Sequence, residues 1–235
     1  MPAANRSALL GLYLMVSRRA GRFARRLLER RKARGKEHPT RLGERMGEAG
    51  LPRPDGPVVW FHAASVGEAA SLIELLRRLL IERPTLTCLV TTVTVTSEQF
   101  LRERLPERCP HQFAPVDVLP WVERFLAHWR PDVAVWTESE LWPATLTATH
   151  ATGAPMLLIN ARISNRSYRR WRLVSGMARA LLRLFDRILA QDKLAAVHLR
   201  ALGANSATLS VVGSLKEGAA PLPYDEAERV RVARA

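Results

Sequence analysis

The chain has 235 residues, 47% of them apolar, enough to bury a core in one large domain or one and a half ordinary ones. Lys and Arg number 36 against 22 Asp and Glu, a formal charge of +14, so the expected partner is an anion: nucleic acid, anionic lipid or a phosphorylated substrate. The two cysteines, Cys88 and Cys109, have neither CxxC nor Cys/His spacing, which argues against a disulfide framework and against a zinc site.

The run Ala8–Val16 (ALLGLYLMV) is apolar but far short of the roughly 20 residues that a membrane-spanning helix needs. Ten Lys or Arg follow between Arg18 and Lys36, with Glu29 the only acid among them. A signal peptide fits poorly, because the basic residues follow the apolar run and no A-x-A cleavage site is evident. Apolar residues continue at helical spacing through Leu9, Leu12, Val16, Ala20, Phe23 and Leu27, with arginines on the other faces. The pattern predicts a basic amphipathic helix over 1–34, lying in the interface of an anionic membrane, with the bulk of the chain on the cytoplasmic side. An ordinary surface helix packed on the domain is the alternative.

Residues 35–57 are polar and rich in Gly and Pro and read as a connector with one short helical turn. From Val58 the pattern alternates. Strands are predicted at Val58–His62, Leu86–Thr91, His111–Ala114, Val133–Thr137, Met156–Asn160, Arg187–Gln191 and Thr208–Val212. Helices are predicted at Ala69–Glu82, Ser97–Leu105, Pro120–Trp129, Pro143–Thr149, Trp171–Phe185 and Lys193–Leu202. Such alternation implies an α/β domain over 58–216, a Rossmann-like, doubly wound, mostly parallel sheet covered on both faces. The first strand is not followed by GxGxxG, and no Walker A sequence occurs. After Gly213 comes a Pro-rich spacer and what reads as the opening of another helix, so 217–235 is expected to start a linker to a further domain.

Polar residues collect at the carboxyl ends of these strands, where open α/β sheets bind ligands. The sequence VVWFHAASVGE ends the first strand and opens a helix. Ser65 and Glu68 stand at the S-x-x-E spacing of a capping box. Glu68 is therefore either a cap or a general base, held ionised and somewhat weakened by the helix N-terminus; spacing does not separate the two. Glu138 and Glu140 follow the fourth strand beside Trp142. Asn160, Arg162 and Ser164 follow the fifth, and Gln191 and Asp192 the sixth. Capping explains Ser97 and Asp192 well. Arg162, Arg166, Arg169, Arg170 and Arg172 lie within eleven residues, and guanidinium forks suit phosphate oxygens. No RRM, KH or helix-turn-helix signature appears, so nucleic acid is not the expected anion.

In order along the chain, HAASVGE, TTVTVTS, TESELWP, NARISNRSYRRW, AQDKLAAVHLRALGA and VVGSLK resemble the N-terminal half of the 3-deoxy-D-manno-octulosonic acid (Kdo) transferases of lipopolysaccharide synthesis. GKEHPTRLGERMG and the basic N-terminal helix also resemble that family's start. The resemblance implies the N-terminal half of a GT-B type, inverting glycosyltransferase at the cytoplasmic face of the bacterial inner membrane. It further implies that this half takes the phosphorylated lipid A precursor and that a C-terminal half binds the donor substrate, CMP-Kdo, with no metal and no cofactor required. By resemblance, Glu68 is the general base, and Ser65 and Gly67 shape the turn that presents it. Glu138, Arg162, Ser164 and Arg166 line the acceptor side, the arginines answering lipid A phosphates. Ser139 and Ala144 depart from the family's ETELWPN. Past Lys216 no donor-binding half follows, so full activity is expected only with a separate donor-binding domain. The competing reading, from another class, is a non-catalytic membrane-surface module that binds phosphorylated glycolipid.

Overall fold

The computed structural model describes residues 7–138 and 140–215; Ser139, Lys216 and the expected linker at 217–235 lie outside the described residues. Seven strands form one sheet: β1 (Val58–His62), β2 (Thr87–Thr92), β3 (His111–Phe113), β4 (Val133–Thr137), β5 (Met156–Ala161), β6 (Arg187–Ala190) and β7 (Leu209–Val211). Their order is β3-β2-β1-β4-β5-β6-β7, and every neighbouring pair is parallel. The runs VVWFH and TCLVTT are buried along their whole length, as strands covered on both faces must be. The Rossmann-like α/β reading therefore holds, with a sheet that is parallel throughout among the described residues.

Alternation along the strands sorts side chains into two layers. Val59, Phe61, Cys88, Val90, Val135 and Ile159 pack on α3 (Val66–Glu82) and α4 (Val95–Arg102). Val58, Trp60, Ala134, Trp136, Met156 and Leu158 pack on α5 (Leu119–Trp129), α6 (Pro143–Ala151), α8 (Ser175–Leu182) and α9 (Lys193–Ala201). The centre of this second layer is aromatic: Trp60 meets Trp136 edge-on at 4.7 Å and Phe125 at 4.8 Å, the offset geometry that ring quadrupoles favour. The chain winds outward one way from β1 through β2 to β3 and the other way from β4 to β7. The topological switch point thus lies between the carboxyl ends of β1 and β4.

The predicted helix at Trp171–Phe185 is two helices. α7 (Asn165–Leu173) starts on the Ser164 cap, and Val174 (φ −125°, ψ 42°) breaks the run before α8. None of the residues of α7 is fully buried, and only Tyr168 and Trp171 pack against the core, so its first residues carry the Ser cap and basic side chains and no apolar stripe.

The amino-terminal stretch also folds as two helices, α1 (Ala8–Arg19) and α2 (Gly21–Ala33), jointed at Ala20. Ala24 and Leu28 of α2 pack with Val118 and Trp121, which seats α2 on the start of α5. Tyr13 donates to the Asp117 carboxylate at 2.8 Å, and Ser17 Oγ donates to the Asp117 carbonyl at 2.8 Å. Ser17, Ala24 and Leu28 are buried. Of the stripe predicted for lipid, Leu9, Leu12, Val16, Phe23 and Leu27 form a different face that remains exposed, whereas Ala20 is half-buried at the joint against the Trp121 cluster. Residues 35–57 carry a 3-10 turn at Leu42–Met46. Glu44 there accepts from Arg41 at 2.7 and 2.9 Å and from Phe113 N–H at 2.8 Å, pinning the connector to β3.

Candidate functional site

Ser65 is the N-cap of α3, accepting from Glu68 N–H at 3.3 Å. The Glu68 carboxylate turns back over the same turn, and Oε2 accepts from Ala64 N–H at 2.9 Å. This is the reciprocal logic of a capping box, displaced by one residue. A second donor arrives from across the sheet: Thr137 Oγ1, the last residue of β4, lies 3.1 Å from Oε2. Both contacts fall on Oε2, and the Ser65 side chain adds a further hydrogen bond that favours the ionised carboxylate. Glu68 is 5% exposed.

Burial raises the Glu68 pKa above 4.5; the Ala64, Ser65 and Thr137 contacts oppose the rise, and the charge of Glu138 adds to it. The net direction reverses the expectation of a carboxylate weakened as a base by the helix end. Removing the carboxylate from water outweighs the dipole here.

Glu138 follows β4 directly, and its backbone is left-handed (φ 56°), as is that of Asn160 (φ 50°) on the adjacent β5. Both are costly conformations for residues other than glycine. Asn160 sits where the β5–β6 register slips, between Leu158 and Ala161. Glu138 N–H donates to the Ile159 carbonyl at 3.0 Å, and Asn160 Oδ1 accepts from Leu215 N–H at 3.2 Å. The two strand ends are thus tied together at the rim.

Beside them opens a cavity of about 250 Å³ lined by Glu138, Glu140, Arg162, Ile163, Ser164 and Ser167. The structure brings three of the predicted acceptor-side residues, Glu138, Arg162 and Ser164, into one wall. Ser164 also caps α7, accepting from Ser167 N–H at 3.2 Å. Arg166 is exposed on α7 and does not line this cavity. Gly67 lies exposed in the first turn of α3, and a Cβ built on it would come no nearer than 4.0 Å, to Ser65 Oγ. Neither Glu68 nor Ser65 lines the cavity. Glu140 accepts from the Trp142 indole at 2.9 Å. Thr94, rather than Ser97, caps α4, while Asp192 caps α9 as expected.

Two residues that reasoning from sequence passed over belong to the site's frame. Thr137 ends β4 one residue before the TESELWP acids, and the rim rule applied to the strand's own last residue would have found it. His62 ends β1, buried, with Nδ1 at 3.0 Å from Thr91 Oγ1 and Trp142 edge-on at 4.6 Å. Burial, with a smaller push from Arg45, lowers its pKa to about 3, so the ring is neutral. Among the described residues, no group of three His, Cys, Asp or Glu side chains could hold a metal ion.

Residues 40–219 match the family model of the 3-deoxy-D-manno-octulosonic-acid transferases. The chain belongs to this Kdo transferase family. It is 36% identical over 188 residues to a protein of Arabidopsis thaliana named as a probable mitochondrial 3-deoxy-D-manno-octulosonic acid transferase, covering 79% of this chain and 42% of that one. To the 3-deoxy-D-manno-octulosonic acid transferase of Rickettsia bellii it is 32% identical over 199 residues, covering 84% and 47%. The chain spans less than half the length of these curated relatives. Among solved structures, a crystal structure from Listeria monocytogenes assigned as a UDP-N-acetylglucosamine 2-epimerase superposes with a TM-score of 0.55 at 16% identity, over 74% of this chain and 50% of that one. That likeness is one of fold: a single Rossmann-like half of a GT-B type architecture. The matched region includes both strand ends that flank the switch point, His62 of β1 and Thr137 of β4.

Proposed function

We propose that this chain is the acceptor-binding, base-carrying half of a Kdo transferase, moving Kdo from CMP-Kdo to a phosphorylated lipid A precursor. The observation that carries the reading is the Glu68 carboxylate at the switch point, with Oε2 fixed by the Ala64 N–H and the Thr137 hydroxyl. In this scheme a sugar hydroxyl of the acceptor gives its proton to Oε1 while its oxygen attacks the anomeric carbon of Kdo. The bond from that carbon to the CMP phosphate oxygen breaks on the opposite side, and CMP leaves. A raised pKa makes Glu68 the stronger base for this step. CMP-Kdo is assigned to a separate donor-binding domain facing this rim.

The acceptor lies along the wall of Glu138, Arg162 and Ser164. Its phosphates meet Arg162 and Arg166 at the N-terminal end of α7, where backbone N–H groups add to the attraction for an anion. Membrane contact is assigned to the exposed stripe of α1 and α2, flanked by arginines that answer anionic headgroups of the inner membrane. No helix among the described residues is long and apolar enough to cross a membrane, so the contact would be interfacial.

The deciding experiment joins the chain to the donor-binding half of a relative and compares it with its Glu68→Gln variant. Transfer is expected to fall by about 10²–10⁴-fold, with acceptor binding retained. Unimpaired transfer would leave Glu68 a cap. Acceptor binding without transfer by the joined parent chain would instead favour the non-catalytic glycolipid-binding module, a reading to which the 5% exposure of Glu68 lends weight.

A further inference from the structure

Resting on the reading of Glu68 as the base, we infer that Thr137 is its positioning residue: one hydroxyl proton, placed between two acceptors, follows the charge on Glu68. Thr137 Oγ1 stands 2.9 Å from the His62 carbonyl oxygen and 3.1 Å from Glu68 Oε2. Both are acceptors when Glu68 is ionised, and a hydroxyl has one proton to give. The contact is fully buried, with Thr137 at 0% exposed, so water cannot substitute for either partner. Buried acceptors left without a donor are costly.

The arrangement has two states. With Glu68 ionised, the Thr137 proton points to Oε2, where a charged acceptor makes the stronger bond. When Oε1 takes the acceptor's proton, the charge leaves the carboxylate. The Thr137 proton then turns to the His62 carbonyl, and no further proton moves. Thr137 thereby holds Oε2 in place before transfer and lets the neutral acid relax after it. β1 and β4 are adjacent in space, 69 residues separating Glu68 from Thr137 in the chain, so the rotor spans the switch point.

Other groups around Glu68 are separable. Glu138, after β4, is the charged neighbour that acts on it, and Arg162, after β5, shares the cavity wall with Glu138. The His62 imidazole belongs to the opposite face of the sheet, against Trp60, Trp136 and Trp142.

The test titrates the chain itself, labelled with carbon-13 at the glutamate carboxyls and followed by NMR. The Glu68 signal is identified by its loss in Glu68→Gln, and Glu138→Gln measures the neighbour's share. Thr137→Val should move the Glu68 midpoint upward, because the ionised form loses a donor, and Thr137→Ser should restore the midpoint of the parent chain. Thr137→Ala, which removes the hydroxyl without a branched methyl, gives the answer if the valine variant fails to fold. An unmoved midpoint in the hydroxyl-free variant would overturn the inference and leave Thr137 a partner of the His62 carbonyl alone. In the joined enzyme, the acid limb of the pH–rate profile should move with the NMR midpoint. If the NMR midpoint moves and the acid limb does not, the contact stands and the base reading of Glu68 fails.

Discussion

Glu68 carries two demands that pull against each other. A base must be poised to take a proton, and a buried carboxylate costs free energy when charged. Its pKa is raised by burial, so the folded state holds the proton more tightly than the unfolded chain. The stability linked to that proton is present below the ordinary value of 4.5 and is lost as pH rises through the raised folded value. Glu68→Gln should therefore melt higher than the parent at pH 7.5, with the gain vanishing by pH 4. Calorimetry at the two pH values checks this, and an equal gain at both would contradict it. At this scale the S-x-x-E spacing announced Glu68 and its cap. It could not announce the direction of the pKa shift, which depends on how deeply the folded strands bury the turn.

Asp117 couples two elements. Its carboxylate accepts from Ala144 N–H at 3.0 Å, Thr145 N–H at 2.7 Å and Thr145 Oγ1 at 2.6 Å, capping α6, and from Tyr13 at 2.8 Å, holding α1. Burial first, then Asp117, pushes the Tyr13 phenol pKa up, so the phenol stays the donor. Losing a cap and a charged hydrogen-bond partner together costs about 2–4 kcal/mol. Asp117→Ala should lower stability by that amount in urea melts and speed protease cleavage within α1 and α2. A full loss of stability with unchanged cleavage would mean that α1 is held by its apolar contacts instead. Sequence periodicity found the elements here with ends shifted by a few residues. It missed the joint at Ala20, across which the apolar spacing continues, and the start of α7, whose first residues are polar and exposed.

For the molecule as a whole, the question is which surface meets the membrane. α1 and α2 show one apolar face to the domain and another to solvent, the second including Leu12 at 52% and Phe23 at 73% exposed. Each such side chain gains about 1.5–3 kcal/mol when fully buried. The double variant Leu12→Glu, Phe23→Glu should lose at least about 100-fold in affinity for anionic vesicles. Its melting temperature should match the parent's, since neither residue packs on the core. Unchanged flotation would remove this face from the membrane reading. The basic composition predicted an anionic partner, and periodicity picked out Leu9, Leu12, Val16, Ala20, Phe23 and Leu27 as one stripe, of which Ala20 packs on the domain instead. Composition and spacing alone left open whether that stripe faced lipid or the domain.

Read alone, the sequence determined the succession of strands and helices, the parallel α/β class, the family, and Glu68 as the residue to watch. All of these rest on patterns a few residues long: alternation, caps, apolar runs and short ordered motifs. Tertiary structure alone decided the strand order, the switch point between β1 and β4, the docked face of α1, and the meeting of Thr137 with Glu68. Those depend on crossovers that bring together residues 69 apart. Local periodicity carries no information about such distances, whereas the packing of helices on a twisted sheet does.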